Sequence, residues 1–314
     1  MKIGFLFPGQ GTQAIGMGKD LYEKYEEYRK IYEKVNKITG CKIDDLTFNS
    51  TDEELNQTKN TQISILTMSL AILKILKKEN INAEALMGLS LGEYTALIHS
   101  GILSFEDGIK IVQKRGELMQ NLCPDGDWSM AAILGLDELS VNEVCTNIES
   151  GFVAPANYNC TGQIVISGDK NAVLEAIEKC KQAGAKKAME LNTSGPFHTC
   201  KLKKASEVLS QELKTVFLKE FNIKVIKNID GKSYNSEDNI KEILANHIIN
   251  PVRFADGLQT MIDMGIDTFI EIGPGKTLSG FVKRTSKDVK ILNINDVQTL
   301  ENTIKELQGG SENE

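Results

Sequence analysis

The chain lacks the features that would place it in a membrane, in a disulfide framework or on nucleic acid. No run of about 18 consecutive apolar residues occurs among its 314 residues, so we expect no membrane span. The six cysteines are scattered without a C-x-x-C pair, which favours reduced thiols in a cytoplasmic protein and no metal site. The formal net charge of −7 and a pI of about 5.3 argue against nucleic acid or a membrane surface as the main partner.

Histidine, a common catalytic base, is scarce in this chain. Only His99, His198 and His247 are candidates for that role. His99 ends an apolar, helix-compatible run, a position that suits a cation at a helix C-terminus. His198 lies in a Gly-Pro loop, where catalytic groups often collect, whereas His247 could cap or pack at a helix end. The pattern favours His198 as a catalytic base, with a loop histidine bonded to backbone as the alternative.

The residues that are present alternate between strand and helix patterns. Hydrophobic residues make up 41% of the chain, enough for a large core. The alternation predicts an α/β fold, with a large α/β-hydrolase-like domain and a mostly parallel sheet. A βαββαβ order after Pro124 predicts an inserted ferredoxin-like module. The expected ranges are 1–124 and 196–308 for the large domain, 125–195 for the ferredoxin-like subdomain and 309–314 for a disordered tail.

Helix boundaries within this pattern can also be predicted. A charged amphipathic pattern predicts one helix over 21–39, and an apolar pattern predicts another over 61–78. Ser140 and Asp169 stand where N-caps are expected for the two helices of the ferredoxin-like module. A helix over 104–122 contains a basic residue, Arg115, among apolar neighbours.

Ser90 lies in the most informative segment, Gly88-Leu89-Ser90-Leu91-Gly92. This G-x-S-x-G spacing, between a short apolar strand and a helix-compatible run, is typical of a nucleophile elbow. The small glycines allow a tight turn that exposes the serine hydroxyl. By itself the spacing is weak evidence, because glycine and serine are common turn residues.

Backbone N–H groups near Ser90 could form an oxyanion hole. Leu91 follows the nucleophile, and Gln10 lies in a glycine-flanked loop after the first strand. The alternative for Gln10 is an ordinary turn at the end of a strand. For Arg115, position alone favours a side chain that reaches out to solvent over one that binds a substrate carboxylate.

Seven segments carry a family resemblance. They are Phe7-Pro8-Gly9-Gln10-Gly11-Thr12-Gln13, Gly88-Leu89-Ser90-Leu91-Gly92-Glu93-Tyr94, Gln113-Lys114-Arg115-Gly116, the Asn-x-Asn-x-x-Gly-Gln segment over 157–168, Phe197-His198, Asn250-Pro251-Val252-Arg253-Phe254 and Glu271-Ile272-Gly273-Pro274-Gly275-Lys276-Thr277-Leu278. In this order they resemble the motifs of the malonyl-CoA:acyl-carrier-protein transacylases. The resemblance extends from residue 3 to about residue 294, and seven motifs in register are highly specific.

The resemblance implies an acyltransferase that moves a malonyl group from malonyl-CoA to acyl carrier protein. Ser90 would carry the malonyl ester and His198 would act as base and then acid. Gln10 and Leu91 would bind the oxyanion, and Arg115 would hold the free carboxylate. A backbone carbonyl, at His247 here, would orient His198 in place of an acidic triad member. The reaction would need no metal or redox cofactor.

Two positions depart from the family pattern. Leu89 replaces the usual histidine before the serine, and we expect only a local change in packing or polarity. His247 replaces the usual glutamine, which is tolerable if only its backbone carbonyl matters. Phe197 and Asn159 are expected to line the substrate pocket, and Phe197 resembles the malonyl-preferring form of its loop.

The acidic carrier protein would need a local basic patch on a chain that is acidic overall. The candidates are Lys186, Lys187, Lys276, Lys283 and Arg284, although solvated lysines are the commoner case. We expect a monomer in the fatty acid pathway. The rivals are a polyketide-pathway acyltransferase, a serine thioesterase or other hydrolase, and a non-catalytic docking module.

Overall fold

The fold is known from a computed structural model that describes residues 1–191, 195–220 and 222–309. The strands in these ranges are β1 (Ile3–Phe7), β2 (Ala85–Gly88), β3 (Trp128–Leu134), β4 (Val153–Cys160), β5 (Gln163–Asp169), β6 (Lys187–Leu191), β7 (Lys224–Ile226), β8 (Thr268–Ile272) and β9 (Lys290–Ile294). Strands and helices alternate along most of the chain, as the sequence pattern predicts.

The helices complete this alternation. They are α1 (Lys19–Lys24), α2 (Glu26–Thr39), α3 (Ile43–Asn49), α4 (Asp52–Leu55), α5 (Thr58–Lys78), α6 (Leu91–His99), α7 (Phe105–Asn121), α8 (Glu138–Thr146), α9 (Lys170–Gln182), α10 (Lys203–Lys214), α11 (Ile240–His247), α12 (Phe254–Asp263), α13 (Thr277–Thr285) and α14 (Val297–Gly309). Within the described ranges, no helix is long and apolar enough to cross a membrane.

One compact unit contains Met1–Gly116, Val216–Ile226 and the residues from Thr260 onward. Its sheet has the strand order β7-β2-β1-β8-β9, and every neighbouring pair is parallel. The central strands β1, β2 and β8 are almost wholly buried, as expected for a parallel sheet with both faces covered. The predicted α/β class and parallel sheet are therefore confirmed.

The second compact unit contains Glu117–Thr215 and Lys227–Gln259. Its antiparallel sheet has the order β4-β5-β3-β6, and α8 and α9 pack on one face around a cluster that includes Ile133, Ile166 and Val173. This is the predicted βαββαβ module, and it lies inside the predicted range of 125–195. The compact unit is wider than that range, and the domain boundaries at 125 and 195 stay a prediction. Gly309 ends α14, and the rest of the predicted tail lies outside the described residues.

Of the two predicted N-cap positions of the module, Ser140 is wrong by three residues, whereas Asp169 does occupy the N-cap position of α9. Asp137, not Ser140, caps α8, because its side chain accepts a hydrogen bond from the Ser140 backbone N–H. Asp169 precedes α9 but forms no side-chain cap; its carboxylate instead accepts from the backbone N–H of Phe152 at 2.6 Å.

The predicted helix over 21–39 is two helices, because Tyr25 is extended between α1 and α2. The Arg29 guanidinium lies at the break. It donates to the carbonyls of Tyr22 (2.7 Å) and Glu23 (3.0 Å), which supplies hydrogen bonds at the C-terminal end of α1.

His99 is not the helix-terminal cation that its position suggested. Its ring packs beside Phe5 and Phe7, with centroid distances of 5.8 and 6.5 Å. Burial, with a smaller effect from Lys77, lowers the pKa of His99 to about 4, so the side chain is neutral at pH 7.

Candidate active site

Ser90 occupies a strained turn between β2 and α6. Its φ of 53° and ψ of −100° lie in a region that non-glycine residues rarely adopt. Within the described ranges, the only other non-glycine residues with positive φ are Asn80 and His198. Such strain often marks functional sites, and here it falls on two residues singled out from the sequence.

The two glycines of the elbow are there because no side chain fits. A Cβ on Gly88 would overlap the backbone of Gly92, and a Cβ on Gly92 would overlap the carbonyl of Phe7. The turn is held by backbone hydrogen bonds from Leu89 N–H to Phe7 and from Gly92 N–H to Leu89, both 2.9 Å. The elbow is therefore packed directly against the end of β1.

Position 89 makes these contacts through its backbone. Its carbonyl accepts from Gly92, and a Cβ on Gly9 would overlap the same carbonyl. None of these contacts needs the histidine that is usual in the family, in line with the expectation that Leu89 is tolerated.

The oxyanion candidates Gln10 and Leu91 follow neighbouring strands. β1 and β2 are parallel, with Phe7 paired to Gly88, so the loops after them lie at one edge of the sheet. Across the residues that the structure describes, neither backbone N–H has a protein acceptor. The Gln10 side chain donates to Thr58 Oγ1 at 3.3 Å, which helps to hold its loop.

Arg115 does not reach out to solvent. It is among the largest fully buried side chains, with 1% of its surface exposed. Its Nη2 donates to Ser90 Oγ at 3.0 Å and its Nη1 donates to Gln62 Oε1 at 2.6 Å. The guanidinium also lies over the Tyr94 ring, 5.3 Å from its centroid. The structure thus places a buried cation against the candidate nucleophile.

The charge of Arg115 has no ion-pair partner in the described part of the chain, and its Nε has no hydrogen-bond acceptor there. Burial lowers the pKa of Arg115, while electrostatic interactions with Tyr94 and Glu93 oppose that shift. Burial also raises the pKa of Tyr94 to about 12, so its hydroxyl stays protonated at pH 7. A buried arginine without a carboxylate partner is electrostatically suited to receive one.

His198 is buried, with a φ of 58°, in a loop of the second unit. Its Nδ1 lies 3.0 Å from the carbonyl oxygen of His247 and 3.2 Å from that of Asn250. Because both neighbours are acceptors, Nδ1 carries the proton in the neutral ring and Nε2 has the lone pair. Backbone carbonyls thus orient the ring of this candidate base, with His247 at the position named from the sequence.

The segment that follows these carbonyls pairs with β4 at Val252. Tyr158 N–H donates to the Val252 carbonyl at 2.8 Å, and Val252 N–H donates to Ala156 at 2.9 Å. The His247 side chain is fully buried, and its ring centroid is 4.9 Å from that of His198. The Asn-x-Asn segment and the Asn-Pro-Val segment therefore act together as a support for the histidine loop.

Phe197 and Asn159, expected near the substrate, are both buried in the second unit. Asn159 lies at the irregular end of β4, and its Oδ1 has no hydrogen-bond partner within the described residues. The five basic candidates Lys186, Lys187, Lys276, Lys283 and Arg284 are exposed. Their contact with a carrier protein stays a prediction.

The late Glu-Ile-Gly-Pro-Gly segment supports the first loop. Glu271 accepts from the N–H groups of Leu278 (3.0 Å) and Ser279 (2.7 Å) at the start of α13. A Cβ on Gly273 would lie 2.7 Å from Pro8 Cγ, so the two loops are in close contact. The Glu-Ile-Gly-Pro-Gly segment therefore has a structural role.

Sequence reasoning missed Gln62, whose side chain is 1% exposed. The available signal was one amide at the start of a long apolar helix pattern. A polar side chain on the buried face of such a helix needs a partner, and here that partner is Arg115.

The geometry brings the site residues together in two groups. Ser90, Arg115, Gln10 and Leu91 belong to the first unit, and His198 lies with the His247 carbonyl in the second. A parallel α/β sheet with a strained serine turn at its edge defines a class of enzymes that transfer or hydrolyse acyl groups.

Comparisons with known proteins identify the member of that class. The family described as acyl transferase domain matches residues 4–312. The malonyl CoA-acyl carrier protein transacylase of Bacillus subtilis (strain 168) is 41% identical, over 99% of both chains. The crystal structure of the transacylase of that name from Clostridium perfringens has a TM-score of 0.95 at 42% identity, covering 99% of this chain and 98% of that one.

A further solved structure holds a malonyl-transacylase in complex with its type II PKS acyl-carrier protein. It has a TM-score of 0.94 at 33% identity and covers 98% of this chain and 100% of that chain. The chain therefore belongs to the acyl transferase domain family, in its malonyl CoA-acyl carrier protein transacylase branch. The predicted family and the predicted enzyme class, acyltransferase, are confirmed.

Proposed function

We propose that this enzyme transfers the malonyl group of malonyl-CoA to the phosphopantetheine thiol of acyl carrier protein, through an ester on Ser90. The observation that carries the proposal is the Arg115 guanidinium, buried without an ion-pair partner in the described residues and 3.0 Å from Ser90 Oγ. A cation at this position favours an acyl group that ends in a carboxylate.

The first half-reaction forms the ester. His198 Nε2 takes the proton from Ser90 Oγ while that oxygen attacks the thioester carbonyl of malonyl-CoA. The C–S bond then breaks, and the imidazolium returns the proton to the leaving CoA sulfur. The Nδ1–H bonds to the carbonyls of His247 and Asn250 support this role, because they fix the tautomer and stabilise the imidazolium.

The second half-reaction reverses these steps with a new thiol. His198 Nε2 takes the proton of the phosphopantetheine thiol, and the thiol sulfur attacks the ester carbonyl. The ester C–O bond then breaks, and the imidazolium returns the proton to Ser90 Oγ. Both steps pass through a tetrahedral oxyanion, which the N–H groups of Gln10 and Leu91 would stabilise. The exchange of a thioester for an ester and back requires no metal or redox cofactor.

The partners and pathway follow from the same chemistry. The names of the related proteins support acyl carrier protein as the acceptor, and fatty acid synthesis stays the predicted pathway. One solved relative serves a type II PKS carrier, and the polyketide pathway is the second candidate. Cytoplasmic location and a monomeric state stay predictions.

Intact-protein mass spectrometry after mixing with malonyl-CoA tests the proposal. We expect a malonyl increment on the wild type and none on Ser90→Ala. Ser100→Ala is a matched control, because Ser100 is also buried but bonds only the backbone near the end of α6. An increment that persists on Ser90→Ala would contradict the assignment of Ser90.

A further inference from the structure

We propose that Gln62 is a positioning residue that sets malonyl selectivity by orienting Arg115. The inference rests on the proposed function, since it concerns the group that would receive the malonyl carboxylate. Gln62 lies in the second turn of α5, on its buried face, and its Oε1 accepts from Arg115 Nη1 at 2.6 Å. Among the described residues, Gln62 is the acceptor for Nη1, whereas the other terminal nitrogen of the guanidinium, Nη2, contacts Ser90.

Three contacts fix the plane of the Arg115 guanidinium. Gln62 binds Nη1, Ser90 Oγ accepts from Nη2, and the Tyr94 ring lies against the guanidinium face. The Ser90 contact changes during the reaction, because Oγ becomes an ester oxygen. Gln62 and Tyr94 are then the described side chains that keep the guanidinium in place while an acyl group occupies the site.

Helix α5 is a firm base for this contact. Thr58 lies one turn before Gln62, on the same face, and it accepts from the Gln10 side chain. Gly116, next to Arg115 on α7, has no side chain, and a Cβ there would lie 2.8 Å from Lys59 Cα. The start of α5 thus touches both the oxyanion loop and the arginine helix.

The amide is chemically the right group for this position. A glutamate would accept the same hydrogen bond but would also pair with the charge of Arg115, and would compete with the substrate carboxylate. Glutamine fixes the geometry and leaves the positive charge available. The described residues place no carboxylate within ion-pair distance of Arg115, as this role requires.

The test compares Gln62→Leu and Gln62→Glu with the wild type for malonyl-CoA and acetyl-CoA, using holo acyl carrier protein as acceptor. The ratio of kcat/KM for malonyl over acetyl should fall by roughly 10- to 100-fold in both variants, the range for losing a hydrogen bond to a charged group. Gln62→Leu should lose selectivity because Arg115 is no longer held in place. Gln62→Glu should lose selectivity because the glutamate neutralises the charge of Arg115.

Gln62→Glu separates positioning from stability. A purely structural role for Gln62 would leave the ratio unchanged in Gln62→Glu, because the new ion pair preserves the packing. The control Thr67→Val removes a buried hydroxyl on the same helix that bonds only to Ile63. It should change the melting temperature without changing the ratio.

A double-mutant comparison shows whether Gln62 acts through Arg115. In an Arg115→Ala background, Gln62→Leu should cause no further loss of selectivity. A wild-type ratio in both Gln62 variants, or a full additional loss in the Arg115→Ala background, would overturn the role of Gln62. If the wild type itself does not load malonyl, the proposed function fails instead.

Discussion

Replacing Arg115 with alanine should convert a malonyl-selective enzyme into an unselective and weaker one. The side chain is 1% exposed and donates to Ser90 and Gln62. Removing one partner of a buried charged pair costs about 2–5 kcal/mol, or roughly 30- to 5,000-fold in kcat/KM for malonyl-CoA. Acetyl-CoA has no free carboxylate for Arg115 to bind, so kcat/KM for acetyl-CoA should fall far less.

The assay is carrier-protein acylation with each donor, measured at donor concentrations below KM. Arg115→Lys should fall between the wild type and Arg115→Ala, because lysine keeps the charge but lacks the planar fork. Arg29→Ala is the matched control, since Arg29 bonds only backbone carbonyls in α1. Equal losses for malonyl-CoA and acetyl-CoA in Arg115→Ala would refute the carboxylate role.

Three further predictions concern the serine and the histidines. Ser90→Ala should lower kcat by at least roughly 10³-fold, and near-normal turnover would exclude Ser90 as nucleophile. His247→Gln should keep activity within about tenfold, because the variant retains the carbonyl that accepts from His198; a larger fall would show that the side chain takes part. His99, with its pKa lowered from 6.5 to about 4, binds its proton less tightly in the folded state than in the unfolded state. The free energy of unfolding should therefore fall as the pH drops through this range, by about 2 kcal/mol between pH 7 and pH 5, as measured by urea unfolding. A His99→Phe variant with the same pH dependence as the wild type would contradict this.

The strands were the most predictable part of the fold. The residue pattern predicts strands over 3–7, 187–191 and 268–272, and these ranges coincide with β1, β6 and β8. Each is a short segment bounded by glycine, proline or polar residues, and such boundaries are local properties of the sequence. The parallel order of the large sheet follows from the alternation of strands with helices.

Features set by side-chain contacts could not be read from the sequence. Tyr25 interrupts a regular helical pattern, and two carbonyls at the end of α1 accept hydrogen bonds from the Arg29 side chain. His99 looked like a helix-end cation, but its aromatic neighbours on β1 come from about 90 residues away along the chain, and burial outweighs the helix dipole.

The candidate site divides in the same way. Ser90 and its glycines could be found because the turn constrains residue size locally. Arg115 needed the family resemblance, since an arginine on a helix usually reaches solvent. Gln62 was missed because only the fold shows that its amide meets a buried guanidinium.

The rival activities predict different fates for an acyl-enzyme. A thioesterase would release free malonate to water, and a docking module would bind carrier protein without turnover. The buried Arg115 beside Ser90 gives no advantage to a docking module. It also gives no reason to prefer water over a thiol, so the acceptor must be tested directly.

The most direct test isolates the malonyl-enzyme and then adds holo acyl carrier protein, with the mass of both proteins followed over time. The account predicts that the malonyl increment persists in buffer alone and moves to the carrier protein on mixing. Its loss to free malonate at the same rate with and without carrier protein would contradict the account and identify a hydrolase.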